Sequence, residues 1–482
     1  MRMKNVSVRI SVIILLSMIV ISSCTGPGGP AQFRELNSSS GLPDEWSNTS
    51  NIRWTYDING RGWSSPIITG DYVIFTTASN QTSAPEPYVE QPAQQNNQPQ
   101  GNQRPTAPSS AQPQGDQLPA VSPSAQPQQQ GPPGPPPEDT LYKSQIYKWE
   151  VVCLNLSNGR EVWRKVAREG SPPTGTNQGN GYASETPATD GKKVFTYFGM
   201  AGAYCYDMKG NLIWSKDLGS YKTQNSWGTG SSPLLFNHTL YIQVDNEVSS
   251  FIVALDTETG EEKWRTERDE KTNYSTPVIW KNKVRTELVA GGKTIISYDP
   301  DSGKLLWECK LGGTYNIPSS SSDEETLYTG NAGGPDNPGN LYAIKAGAEG
   351  DITLAEGDST NQWIRWAHTV ASTGNPSPLL SEGLLYVLES RGGGFSCFDA
   401  MTGELIYKET IKGVAACWAS PWTENGKIYF TDERGITYIV KAGRTFELLG
   451  QNKISDRIWA MPAIGKDCFI LKGVNKIYCI GD

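Results

Sequence analysis

The residues best equipped for chemistry are eight cysteines, two histidines and a set of tryptophans and tyrosines placed just ahead of recurring prolines. A thiol becomes a nucleophile or metal ligand when a cation, a histidine or a second thiol lowers its pKa. No CxxC, CxxCH or adjacent cysteine pair occurs, so dithiol redox work and haem attachment are not indicated. Cys153, Cys205, Cys397 and Cys479 instead fall at one repeated position, where other repeats carry Ala254, Ser297 and Ala343. That position calls for a small buried residue, and inert packing cysteines are expected there. Cys309 and Cys417 stand alone, while Cys468 and Cys479 fall on adjacent strands of one predicted hairpin, which leaves a disulfide open as the alternative. His238 lies in a turn and His368 near a strand. Neither has a carboxylate and nucleophile at triad spacing, or companions for a histidine-rich zinc site. The runs Gly333-Gly334 and Gly392–Gly394 lack the Lys-Ser/Thr that completes a phosphate loop and read as turns.

The aromatic set is the stronger candidate. Trp63, Tyr274, Tyr315, Trp418 and Trp459 each stand three residues before a proline that opens a strand; Tyr182 and Trp227 precede theirs by slightly more. Aromatic side chains converging on one opening can stack a planar ligand or sugar, or anchor a partner segment. Packing as a plug between neighbouring repeats is the alternative. Arg457 adds a cation beside Trp459, and Asp245, Glu247, Glu389, Arg391, Asp432, Glu433 and Arg434 are expected on the same rim.

The elements that position these residues come from a repeated phrase. Pro66, Pro187, Pro233, Pro277, Pro318, Pro378, Pro421 and Pro462 open successive units, and all but two of the gaps run 41–46 residues, the period of a four-stranded propeller blade. In each unit a short apolar strand such as Ser231–Phe236 is followed by a second (Leu240–Val244) and a third (Phe251–Asp256). A turn closed by Gly159, Gly210, Gly260, Gly303 or Gly403 leads to a fourth strand carrying Trp163, Trp214, Trp264, Trp307 or Trp366, then Tyr407 and an aliphatic near Leu449. The last unit supplies only three strands; the fourth is Ile52–Tyr56, with Trp54 in the tryptophan position. The expected fold is all-β: an eight-bladed β-propeller of four-stranded antiparallel blades over residues 51–482, closed by an N-terminal strand that completes the C-terminal blade. Seven blades is the alternative, because the unit from Pro318 to Trp366 is irregular.

Two segments break the pattern. Residues 1–23 combine Arg2, Lys4 and Arg9 with an apolar stretch over 10–21, too short for a membrane span and expected to be a signal peptide. It ends at Ile21-Ser22-Ser23-Cys24, so Cys24 is the expected lipidation site, with residues 24–50 a tether ordered near Leu42–Trp46. The second is an insertion in blade 1, residues 79–140; positions 81–140 hold 15 Pro and 14 Gln and little that is apolar, the composition of a disordered arm. The formal charge of -8 speaks against a broad nucleic-acid surface.

The phrases Leu255–Trp264 (LDTETGEEKW) and Tyr298–Trp307 (YDPDSGKLLW), with their Ser-Ser-Pro-led first strands, resemble the pyrroloquinoline-quinone-like propeller repeat. The stretch 41–78 is similar to the opening of planctomycete-type propeller lipoproteins, and the Ile-Ser-Ser-Cys site followed by Thr25 resembles lipoproteins sorted to the outer membrane. The resemblance covers residues 41–482 apart from the insertion and implies one of two functions. BamB-type scaffolds bind protein partners in the envelope without catalysis. Quinoprotein alcohol and sugar dehydrogenases hold PQQ and calcium in the axial funnel. For calcium the nearest candidates are Glu185 and Asn225; no general base is assignable. The expected function is therefore a lipid-anchored, periplasm-facing protein-binding scaffold, with a glycan or small-ligand binder using the aromatic mouth, or a PQQ-dependent dehydrogenase, as the alternatives.

Overall fold

The structure is a computed structural model that describes residues 42–80, 145–177, 179–312, 317–331, 339–368 and 373–481. Cys24, the leader, Tyr315 and nearly all of the insertion lie outside the described residues. Among the described residues eight sheets follow one another along the chain, seven of them four-stranded and antiparallel and the eighth with a fifth, parallel strand at its edge. Ile52–Asp57 pairs antiparallel with Lys476–Ile480 and so becomes the outer strand of blade 8, with Trp54 opposite Cys479. This joins the chain's two ends in one sheet and removes the exposed edges of a linear array.

The extra strand explains the irregular unit. After the third strand of blade 5, Leu341–Lys345, the chain swings out and lays Gly350–Asp351 parallel to the outer strand of blade 4, Leu305–Lys310, before returning as Ile364–His368. The long spacing is thus an excursion within an ordinary blade. In blade 1 the strands that bracket the insertion, Tyr72–Asn80 and Tyr147–Asn155, run longer than the sequence pattern indicated.

Strand register refines the repeat. The small-residue position pairs with the indole position across the two outer strands: Cys153 with Trp163, Cys205 with Trp214, Ala254 with Trp264, Ser297 with Trp307, Ala343 with Trp366, Cys397 with Tyr407. In blade 7 the pair is Ile439 and Gly450, so the residue in the indole position is Gly450 rather than the expected aliphatic. Each indole caps the next blade. A Cβ on Gly159, Gly210, Gly260, Gly303 or Gly403 would lie 2.4–2.8 Å from Trp54, Trp163, Trp214, Trp264 or Trp366 respectively. Those glycines also have φ between +68° and +78°, so two demands exclude a side chain there: backbone conformation and the indole of the preceding blade. The indole N–H completes the contact by donating to a turn carbonyl, as in Trp54 to Leu156 O at 2.8 Å and Trp264 to Pro300 O at 2.9 Å. Trp307 differs, because the added strand occupies that edge; its N–H donates to the buried Glu287 carboxylate at 2.6 Å.

A second contact runs round the axis. The residue before each strand-opening proline carries a hydroxyl that accepts the backbone N–H of its counterpart in the preceding blade. Ser65 N donates to Thr186 Oγ1, Thr186 N to Ser232 Oγ, Ser232 N to Thr276 Oγ1, Thr276 N to Ser319 Oγ, Ser319 N to Ser377 Oγ and Ser377 N to Ser420 Oγ, at 2.9–3.0 Å. Met461 N closes the circuit onto Ser65 Oγ at 3.1 Å. Seven of the eight seams carry this bond; Met461 has no hydroxyl to offer Ser420, so the seam between blades 7 and 8 lacks it. The circuit also corrects the alignment. In blade 5 Ser319 occupies the hydroxyl position and Ser321 pairs with Tyr328, which puts Ser320, not Pro318, in the proline position.

The cysteines behave as expected of packing residues. All seven described cysteines are buried free thiols, Cys468 and Cys479 among them. Cys479 pairs directly with Ile470, so Cys468 sits diagonally to it, and the two thiols share a hydrogen bond. Burial pushes the thiols of Cys153 and Cys205 up to about 12, far from reactivity at neutral pH.

Candidate functional site: an indole arc at the channel mouth

With the register fixed, the position three residues before each strand-opening residue is Trp63, Ser184, Gly230, Tyr274, Ile317, Asn375, Trp418 and Trp459. The aromatic set is therefore an arc rather than a closed collar: blades 7, 8 and 1 supply consecutive indoles, and Tyr274 stands apart in blade 4. Trp63 and Trp459 meet edge-to-face at 4.7 Å. Trp63 and Trp418 lie 6.0 Å apart although their blades are not neighbours, a contact that places the cluster close to the axis.

All three indoles are half-buried; Trp63 and Trp418 are held at their edges, whereas the buried Trp459 Nε1 has no hydrogen-bond partner among the described residues. The Trp63 N–H donates to Gly179 O at 3.2 Å, and the Trp418 N–H donates to Glu433 Oε2 at 2.9 Å. Two guanidinium groups lie over the rings, Arg391 at 5.6 Å from the Trp418 centroid and Arg457 at 5.1 Å from that of Trp459. Such cation–π pairs are worth ~0.5–1 kcal/mol when exposed and more when a partner excludes water. The arc thus offers apolar ring edges and faces, two cations and one carboxylate on a single surface.

The other predicted residues go elsewhere. Tyr182 is buried between blades 1 and 2, edge-on to Tyr147 at 4.8 Å and Trp149 at 5.9 Å. Trp227 is 38 % exposed, and its carbonyl accepts the Asn177 N–H at 3.3 Å. Tyr274 is half-buried beside Gly230. Several expected rim charges are used internally. Asp245 and Arg268 form a fully buried pair at 2.9 Å, joined by Gln243, Asn273 and Tyr298. Asp432 is buried with Arg434 at 2.8 Å, and Glu389 is paired with Lys408 at 2.9 Å.

Beneath the arc runs a buried polar string that the sequence reading missed. Lys472, in blade 8, donates to Gly62 O at 2.9 Å, Ser64 O at 2.9 Å, Ser64 Oγ at 2.8 Å and Thr76 O at 3.2 Å. The Thr76 hydroxyl bonds Ser64 Oγ at 2.8 Å and donates to Glu185 O at 3.3 Å. The Glu185 carboxylate accepts the Thr229 hydroxyl. Burial pushes the Glu185 carboxyl up to about 7, with the Thr229 and backbone hydrogen bonds opposing it, and pushes the Lys472 ammonium down to about 7. A lone lysine ending the strand Phe469–Lys472 was the available signal. Its partners, some 400 residues earlier, were not legible.

The two calcium candidates sit in different surroundings. Glu185 is buried against Thr229, whereas Asn225 is an exposed residue with φ +51° in a 3-10 turn. Among the described residues no group of three or more His, Cys, Asp or Glu converges as a metal-binding set. Also among them, no helix is long and apolar enough to cross a membrane.

Eight closed blades with an inter-blade hydroxyl circuit, indole caps and an aromatic arc at the mouth define a propeller of the quinoprotein-like repeat class. The chain belongs to the family described as outer membrane protein assembly factor BamB, whose model matches residues 202–442, half of the chain. Among solved structures it is similar to BamB from Moraxella catarrhalis (12 % identity, TM-score 0.49, covering 69 % of this chain and 91 % of that one). It is also similar to a europium-containing methanol dehydrogenase (11 %, TM-score 0.49, 88 % and 85 %) and to the quinohemoprotein alcohol dehydrogenase ADHIIG from Pseudomonas putida HK5 (11 %, TM-score 0.46, 70 % and 72 %). No curated protein matches the chain.

Proposed function

We propose that this chain is a non-enzymatic scaffold of the bacterial cell envelope, held at the membrane through a lipidated Cys24, that binds a protein partner on the face bearing Trp63, Trp418 and Trp459. The observation that carries the reading is the pairing of half-buried indoles with Arg391 and Arg457. Tryptophan and arginine at the centre of a patch are the residue types that dominate protein–protein hot spots. The same guanidinium groups lie over faces of Trp418 and Trp459 that a sugar ring would need for stacking, so the geometry favours a polypeptide over a glycan. Membership of the assembly-factor family supports the same class of role. The dehydrogenase alternative would need PQQ and calcium seated in the funnel; against it we weigh that Glu185 is buried against Thr229 while Asn225 is exposed.

The test is capture from solubilised envelope with the full-length protein and with a W418A/W459A variant. A specific partner retained by the first and lost by the second is expected. Dye reduction with an alcohol after reconstitution with PQQ and calcium, together with no captured partner, would overturn the proposal.

A further inference from the structure

Lys472 is 2 % exposed, and no carboxylate lies within ion-pair distance of it among the described residues. An ammonium in that setting is costly unless neutral oxygens replace its water. Here all its partners belong to blade 1: the carbonyls of Gly62, Ser64 and Thr76 and the hydroxyl of Ser64. Two of them, Gly62 O and Ser64 O, flank Trp63, so one Nζ grips the backbone on both sides of the indole that meets both of the others. Its remaining close neighbour is the Phe75 ring, 5.7 Å away. The homologous position in the second strand of blade 1 is Thr76, and in blade 3 it is Gln243; in the described blades only the closing blade places a cation there.

We infer that Lys472 is a positioning residue of the candidate site: its ammonium, carried on the last blade, pins the Gly62–Ser64 segment of the first blade and thereby fixes Trp63 against Trp459 and Trp418. One side chain thus links the seam between the last and first blades to the backbone that carries Trp63. A neutral amine would keep two donors and turn a lone pair toward an acceptor oxygen, so the grip depends on the charged form. Of the titratable groups on the packed elements, Arg61 precedes Gly62, and Glu185 meets the string only through its backbone carbonyl, which accepts from Thr76, while its carboxylate faces Thr229. The inference rests on the arc being the working surface, but its test reads the placement of Trp63 without any partner, so the two can fail separately.

The experiment compares near-ultraviolet circular dichroism and acrylamide quenching of the full-length protein, W63F and K472M. Indoles at 4.7 and 6.0 Å give a coupled signal that W63F removes. K472M should lose that same signal and expose one more indole to quencher while the far-ultraviolet spectrum stays that of the folded ring. A K472M spectrum that superimposes on the wild type overturns the inference. Should K472M not fold, the E185Q variant, which keeps Lys472, is titrated from about pH 6 to about pH 9, a range that brackets the lowered lysine without the carboxyl. Loss of the indole signal as pH rises supports the clamp, and a constant signal overturns it.

Discussion

The seam between blades 7 and 8 and the other seven seams solve one problem in two ways. Seven are joined near the axis by a hydroxyl accepting a backbone N–H at 2.9–3.1 Å. At the eighth, Met461 replaces the hydroxyl, and the N-terminal arm crosses the seam farther out. Trp46 is buried edge-on to Phe469 of blade 8 at 5.0 Å, while its backbone N–H donates to Asn452 Oδ1 of blade 7 at 3.1 Å. Asn452 returns a bond to Asp44 O at 2.9 Å, Asn48 and Ser455 exchange two more, and Lys427 pairs with Asp44. The repeated seams are encoded within the repeat; the exceptional one is encoded outside it. A ring needs only one such repair, at the blade where its two chain ends meet.

The largest effect should come from breaking the exceptional seam. Trp46→Ala removes a buried indole that two blades share, and is expected to cost ~3–5 kcal/mol, read as a lower midpoint in urea unfolding. A repeated seam should respond less. Ser232→Ala leaves the buried Thr186 N–H without its acceptor and is expected to cost about 1–3 kcal/mol. If both cost the same, the arm is not the substitute for the missing hydroxyl.

A second pair of predictions uses the two buried ions beneath the arc. The folded-state pKa of Glu185 is raised, from 4.5 to about 7, so the folded state binds the extra proton between those values and stability falls as pH rises through them. For Lys472 the folded value is lowered, from 10.5 to about 7, so the unfolded state holds more protons above 7 and stability rises with pH there. The two contributions together are least favourable near neutrality. Glu185→Gln should therefore stabilise the protein by up to ~3 kcal/mol at about pH 8 and by little at about pH 5, measured as the shift in thermal midpoint at each pH.

The blade count, the closing strand and the indole position were legible in the sequence because each rests on spacing within one unit. What was not legible rests on contacts between units. The Gly260 turn reads as a backbone requirement alone, yet its Cβ position lies 2.7 Å from Trp214, one repeat earlier. Asp245 reads as a rim charge until Arg268, 23 residues on, is seen to bury it. Pro318 took the place of Ser320 in the alignment because a proline is conspicuous and a serine among four is not; the inter-blade hydroxyl circuit, rather than the proline, marks the register. The same register puts Ile317, not Tyr315, three residues ahead of the strand in blade 5.

The smallest effect tests whether the hydroxyl circuit can be completed. Met461→Thr would offer Ser420 the acceptor it lacks, for a gain of ~0.5–1.5 kcal/mol. It also removes the methionine side chain that packs against the core beneath Trp46 and Phe469, a loss of similar size. Global stability should therefore move by less than about 1 kcal/mol in either direction. Local behaviour should not be neutral. Hydrogen exchange at the Ser420 amide should be faster in the wild type than at Thr186 or Ser232, and should slow toward theirs in the variant. An unchanged Ser420 rate would mean that blades 7 and 8 are held too far apart at the axis for a hydroxyl to bridge, and that the arm sets a gap rather than closing one.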